Sequence, residues 1–172
     1  MIIDVPVLLP SPMKNPKKPP FKYAGSKARM LKKYAASGFL VSEPKMFVDM
    51  FAGSTQVAYW IRQVYPDIPI VINDLNVELN QLYRVMMKHT KEYQKWGRKF
   101  LQPYLAITPP PKPAISEDRK KYYYELRARY REGGFENPVE ESAMLMFMMR
   151  TNFNGFWGQS KKFPGRYHTS AG

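Results

Sequence analysis

Met46-Phe47-Val48-Asp49-Met50-Phe51-Ala52-Gly53, followed by Ile68-Pro69-Ile70-Val71-Ile72-Asn73-Asp74, is the stretch that decides the fold. The first piece is a short apolar run ended by a glycine, which suits a buried strand feeding a tight turn. The second is another apolar run, closed by Asn73-Asp74. Ser54 to Val64, between them, fits a helix. Strand, helix and strand in about 30 residues make one βαβ unit, and such units imply a parallel sheet in an α/β protein.

Working outward, Ser26 through Gly38 reads as a helix with Ala28, Leu31 and Ala35 on one side and lysines on the other. Val77 to Phe100 reads as one long helix with Leu79, Leu82, Tyr83, Met86 and Met87 facing inward. Pro103 to Pro113 is proline-rich and predicts a linker or wrapped loop. Glu117 to Arg131 and Asn137 to Thr151 read as two further helices. The second opens with Asn137 as N-cap, Pro138 at the first helical position and Glu140 three residues on. Its Met144, Leu145, Phe147 and Met148 form a broad packing face. At the other end, Pro6, Pro10, Pro12, Pro16, Pro19 and Pro20 predict an extended arm. The expected organisation is an arm over 1–20, a cofactor-binding region over 21–101, a linker over 102–116 and a recognition region over 117–172.

The 172 residues carry 27 Lys plus Arg against 14 Asp plus Glu, a formal net charge of +13 with a pI near 9.8. Such an excess points to a polyanionic partner, nucleic acid first, with a merely solvated basic surface as the plainer reading. The charge is segregated. Every charged residue between Asp4 and Glu43 is basic, and Arg84, Lys88, Lys91, Lys95, Arg98 and Lys99 are interrupted by Glu92 alone. After Glu141 come only Arg150, Lys161, Lys162 and Arg166. With no cysteine, disulfides, thiolate metal sites and cysteine nucleophiles are excluded. Only His89 and His168 are available as imidazoles, which argues against a metal site or triad. No apolar run approaches the roughly 18 residues that span a bilayer, and Ile2 to Leu9 lacks the marks of a signal peptide. A cytoplasmic protein without a membrane partner is expected.

A glycine turn after the first strand lets a ligand approach the backbone, and an acid at the tip of the next strand can accept hydrogen bonds from ribose hydroxyls. Asp74 could equally be a plain turn-former. Phe21-Lys22-Tyr23-Ala24-Gly25-Ser26-Lys27 adds lysines, an aromatic ring and a glycine just before a helix, a setting that attracts an anion such as a carboxylate.

These residues resemble the Dam-type DNA adenine methyltransferases, which transfer a methyl group from S-adenosylmethionine to adenine. Phe21 to Lys27 is similar to that family's N-terminal cofactor motif, Phe47 to Gly53 to its Phe-x-Gly motif, and Ile72-Asn73-Asp74-Leu75-Asn76 to its acidic ribose-binding motif. Tyr122 to Tyr130, Asn137-Pro138 and Arg150-Thr151-Asn152-Phe153-Asn154-Gly155 are similar to its helical target-recognition region, and Lys161-Lys162-Phe163-Pro164-Gly165-Arg166-Tyr167 to the hairpin that follows. The resemblance covers residues 21–172 in the family's order. It implies a partial Rossmann-like S-adenosylmethionine-dependent methyltransferase fold with a helical target-recognition subdomain. It further implies that Tyr23, Ala24, Gly25, Lys27, Phe51, Gly53, Ser54 and Asp74 hold S-adenosyl-L-methionine. Lys22, Asn152, Phe153, Asn154, Lys161, Lys162 and Arg166 would then approach double-stranded DNA. Phe153 stands where the family stacks an aromatic ring into the base pairs, its alternative being an ordinary core aromatic.

Three departures matter. Thr55 replaces the family's second glycine, and Gly158 stands where a guanine-reading arginine is common. The family's Asp-Pro-Pro-Tyr, which binds the adenine amino group and stacks on the base, does not occur in the sequence; Thr108-Pro109-Pro110-Pro111 has no acid and lies in the wrong place. No catalytic residue and no metal ligand is assigned. The expectation is therefore a chain with an exposed sheet edge and apolar face that needs a complementing segment or subunit. The alternative is a non-catalytic relative, phage-encoded for example, that binds DNA or protein as a decoy or regulator.

Overall fold

A computed structural model describes residues 21, 23–37, 44–108, 116–158 and 167–171. The arm over 1–20 lies outside the described residues, as do Lys22, Lys161, Lys162 and Arg166 and the side chain of Ala28. The elements in chain order are a 3-10 turn at Lys27–Arg29, α1 Leu31–Ala36, β1 Phe47–Asp49, α2 Gln56–Val64, β2 Ile70–Ile72, α3 Val77–Lys88, α4 Thr90–Ala106, α5 Glu117–Glu132 and α6 Pro138–Thr151. None of these helices is long and apolar enough to cross a membrane.

The chain divides into two compact units, the first over residues 25–75 and the second comprising Phe21–Ala24 and Asn76–Gly172. The break between them falls after Leu75. The reason lies in α3, whose buried Leu79, Leu82, Tyr83 and Val85 give it an apolar face for α4 and α6.

In the first unit β1 and β2 pair in parallel, with Phe47 opposite Ile70, Val48 opposite Val71 and Asp49 opposite Ile72. The βαβ unit read from sequence is present. Its core is Leu31, Ala35, Trp60, Ile61 and Ile68, with Phe47 and Ile70 packed against it. The strands, each read as a buried run, are covered on one face only. Val48 and Val71 are 41% and 46% exposed, because α2 covers one face and no second layer covers the other among the described residues. The segment expected as a single helix from Ser26 is a 3-10 turn and a short helix, with Leu31 and Ala35 turned inward.

The second unit is helical, and α6 is its centre. Val139, Ala143, Met144, Leu145, Phe147, Met148 and Met149 are all buried, so the helix is enclosed rather than one-faced. Asn137 caps it, its Oδ1 accepting from the N–H groups of Val139 and Glu140 at 3.0 and 2.9 Å. Buried Glu140 accepts from the Glu136 N–H at 2.8 Å and pairs with Arg129.

Two expectations are corrected here. The long helix from Val77 breaks at His89, where Thr90 Oγ1 donates to the Met86 carbonyl at 2.7 Å and a new helix starts. Met87 is consequently exposed. The linker expected from Pro103 is helical as far as Ala106. Tyr104 anchors that last turn, edge-on to Phe147 at 5.4 Å and beneath the Arg119 guanidinium, which also donates to the Ile107 carbonyl at 2.7 Å.

Candidate cofactor turn and recognition turn

The first constellation sits at the carboxyl ends of β1 and β2. Beyond the paired residues the two chains stay together: the Asn73 N–H donates to Asp49 O at 2.8 Å and the Ala52 N–H to Asn73 O at 2.9 Å. These bonds set the glycine turn beside the acidic tip. The Gly53 N–H then donates to Asp74 Oδ2 at 2.8 Å. Gly53 takes φ +48°, and Thr55 takes φ +56°. The second value explains the family's glycine there, since a β-branched residue is strained in the left-handed region.

Ser54 is buried, and its Oγ donates to Ser26 Oγ at 3.4 Å. Ser26 thus ties the lysine-bearing loop to the glycine turn, a role that sequence alone did not single out. Lys27 is exposed, its Nζ at 3.4 Å from the Gly25 carbonyl, and Phe51 is 89% exposed. Asp49 is a second acid that sequence reading missed. Burial pushes its carboxyl above the ordinary carboxylate value and neighbouring Asp74 adds to that, against the backbone N–H groups of Phe51 and Ala58. Gly25, Ser26, Lys27, Phe51, Gly53, Ser54 and Asp74 all belong to this unit. Together they offer a carboxylate acceptor, an ammonium donor and an exposed aromatic surface.

Tyr23 and Ala24 belong to the second unit, against the turn that follows α6. The Ala24 N–H donates to Gly155 O at 3.0 Å, and Tyr23 lies 6.5 Å from Trp157 and 6.0 Å, edge-on, from Phe21. Asn152 is buried and organises this turn. Its Nδ2 donates to Phe156 O at 3.1 Å and to Tyr167 Oη at 2.6 Å, and its Oδ1 accepts from Gly155 N at 3.0 Å. Expected at the DNA, Asn152 instead holds the turn from inside. Phe153 and Asn154 are exposed, Phe153 by 54%, and Asn154 takes φ +54°.

The tail locks the turn from the other side. Asn152 bridges Ala171 antiparallel, and the Phe153 N–H donates to Ser170 O at 2.9 Å. Tyr123 Oη and Arg127 Nη1 both donate to Thr169 O, at 3.0 and 2.9 Å, while Glu78 accepts from Tyr130 Oη at 2.7 Å and from the Tyr167 N–H at 3.2 Å. Burial raises the Tyr123 and Tyr167 phenols above their ordinary value. It lowers Arg127 and His168, with Arg131 adding to both. At Gly158 a Cβ would meet His168 O at 2.3 Å, so the position admits no side chain while the tail is paired.

A family model described as D12 class N6 adenine-specific DNA methyltransferase matches residues 23–163. The chain belongs to this family. The match takes in the glycine turn and Asp74, the α4–α6 helices and the Asn152 turn. Among curated relatives, the chain is 23% identical over 149 residues to the Type II methyltransferase M.MjaIII of Methanocaldococcus jannaschii, covering 84% of this chain and 49% of that protein. It is 30% identical over 94 residues to the Type II methyltransferase M1.LlaDCHI of Lactococcus lactis subsp. cremoris, covering 54% of this chain and 28% of that protein. The D12-class chain thus spans half or less of the length of the curated relatives it matches.

Proposed function

We propose that this chain is the cofactor-binding and target-recognition half of a DNA adenine methyltransferase, completed by a further segment or subunit. The observation that carries the reading is the Gly53–Asp74 contact at the ends of two parallel strands. A carboxylate accepts several hydrogen bonds, so Asp74 can brace the turn and also meet ribose hydroxyls. Lys27 suits a carboxylate, and the exposed ring of Phe51 suits the adenine of the cofactor; Gly25 and Ser54 shape the loops that carry them, and the resemblance assigns Tyr23 and Ala24 to the cofactor as well. Bound there, S-adenosylmethionine supplies the methyl group.

Phe153 fits the wedge that fills a duplex when a base is extruded, since it is exposed on a turn whose backbone is fixed at both ends. Asn154 flanks it, Asn152 positions it, and Lys22, Lys161, Lys162 and Arg166 contribute positive charge toward DNA. The need for a complement is supported by the two-stranded sheet, whose Val48 and Val71 stand exposed beside Phe51 and Leu75. It is also supported by the length of the relatives, of which the chain covers 49% and 28%.

Calorimetric titration with S-adenosylmethionine, alone and with a polypeptide carrying Asp-Pro-Pro-Tyr, tests the reading. Binding in either mixture is expected, and none in both overturns it. DNA binding without cofactor binding selects the second reading, a non-catalytic DNA-binding relative.

A further inference from the structure

α4 turns two different faces outward and inward. Phe100 is buried and Tyr93, Trp96 and Tyr104 are half-buried on the inner side, whereas Lys91, Lys95, Arg98 and Gln102 are all exposed on the outer one. These outer positions are spaced by four, three and four residues, so they form one stripe along the helix. Lys99 stands beside the stripe, held with its Nζ 4.0 Å from the centre of the Trp96 ring. Trp96 is itself stacked on Phe100 at 5.8 Å. Among the described residues none of Lys91, Lys95, Arg98 and Lys99 enters an ion pair. The acids nearby are Glu92 and Glu136. Glu92 accepts from Asn137 Nδ2 at 3.2 Å, which engages it with the start of α6.

A row of unpaired cations on a rigid helix costs self-repulsion and adds nothing to the core. It does suit a regular polyanion. Lys91 to Arg98 covers about 10 Å of helix axis at 1.5 Å per residue. One DNA strand presents a phosphate about every 3.4 Å along its axis, so the stripe matches a few successive phosphates. The Trp96 ring is engaged by Phe100 and Lys99, which assigns it to holding a cation rather than to stacking on a base.

We infer that the outer face of α4, through Lys91, Lys95, Arg98 and Lys99, is an accessory contact for the sugar-phosphate backbone of duplex DNA, apart from the Phe153 turn and indifferent to sequence. The inference rests on the DNA-binding reading above.

The test compares the unaltered chain with the K91Q/K95Q/R98Q/K99Q variant, measuring duplex affinity across a salt series. Each lost phosphate contact removes about 0.9 from the slope of log affinity against log salt, so the slope should become shallower by about 2 to 4. The loss should be larger on a long duplex than on one that just covers a target. An F153A variant should instead weaken binding with the slope nearly unchanged. If the unaltered chain binds and the α4 variant keeps its slope and affinity while melting normally, the α4 surface is wrong and the Phe153 reading survives. If the unaltered chain binds no duplex at any salt, both readings fall.

Discussion

The backbone N–H of Gly53 donates to the Asp74 carboxylate at 2.8 Å, joining residues that stand 21 apart in sequence. The bond links the ends of two strands through one charged acceptor. Losing a charged partner for a part-buried donor costs about 1–3 kcal/mol. Asp74→Ala should therefore lower stability by about 1–2 kcal/mol in chemical denaturation and weaken S-adenosylmethionine binding at least tenfold. Asp74→Asn keeps an acceptor and should recover much of the stability but less of the binding. Unchanged calorimetric affinity in Asp74→Ala would remove Asp74 from the cofactor site.

Thr55 occupies a left-handed backbone conformation at φ +56° directly before α2. For an L-residue that conformation costs about 1–2 kcal/mol, and glycine escapes it while losing more backbone entropy on folding. Thr55→Gly should thus stabilise by about 1 kcal/mol net, seen as a raised thermal midpoint. Asn, which tolerates the same region, should behave similarly. A lowered midpoint in both variants would show that the Thr55 hydroxyl, 2.7 Å from Ser54 O, outweighs the strain.

At Gly158 the prediction concerns space. A Cβ 2.3 Å from His168 O requires backbone to move, and that stretch is held by the His168 N–H bond to Gly158 O at 2.7 Å. Gly158→Ala should destabilise by about 1–3 kcal/mol, the usual range for overpacking. Gly158→Arg, which supplies the guanine-reading side chain common in the family, should destabilise further and bring no preference for guanine. A stable Gly158→Arg protein with a guanine preference would show that the tail moves aside.

Stability should fall as pH rises from 10 to 12. Burial pushes Tyr93 up from its ordinary value of 10.0 to about 12. The unfolded chain loses that proton from pH 10 upward while the folded one keeps it, so the stabilisation is complete below pH 10 and is lost by about pH 12. The full loss amounts to about 2–3 kcal/mol. Tyr123 and Tyr167 shift in the same direction. Tyr93→Phe should flatten part of the decline between pH 10 and 12 and leave the remainder; an unaltered decline would place the titration elsewhere.

The parts of this protein that were legible in sequence are those fixed by local chemistry. Apolar runs closed by Gly53 and by Asn73-Asp74 specify strand ends, and Asn137-Pro138 specifies the start of α6 through a cap that forms as expected. What sequence did not reveal depended on distant partners. Pro103 is accommodated in a helix because Tyr104 packs on Phe147, and Asn152 turns inward because Tyr167 and Phe156 offer it partners. Val48 and Val71 are exposed; an exposed apolar face is expected, but nothing in an apolar run states which of its residues stay uncovered.

The inward turn of Asn152 separates two neighbours that sequence treated alike. Phe153 is 54% exposed, so Phe153→Ala should change the thermal midpoint less than a core truncation would. Its effect should appear in DNA binding, where losing a stacking aromatic costs about 1–3 kcal/mol, roughly a five- to hundredfold drop in affinity. Asn152→Ala does the reverse in order of cause. It removes three hydrogen bonds from a buried site and leaves the Tyr167 hydroxyl and the Phe156 carbonyl without that partner, so stability should fall by about 2–4 kcal/mol. DNA affinity then declines because the turn no longer presents Phe153. Limited proteolysis should show new cleavage between residues 152 and 158 in Asn152→Ala and none in Phe153→Ala. If Asn152→Ala melts normally yet loses DNA, Asn152 reaches the duplex itself, and the turn must open to let it.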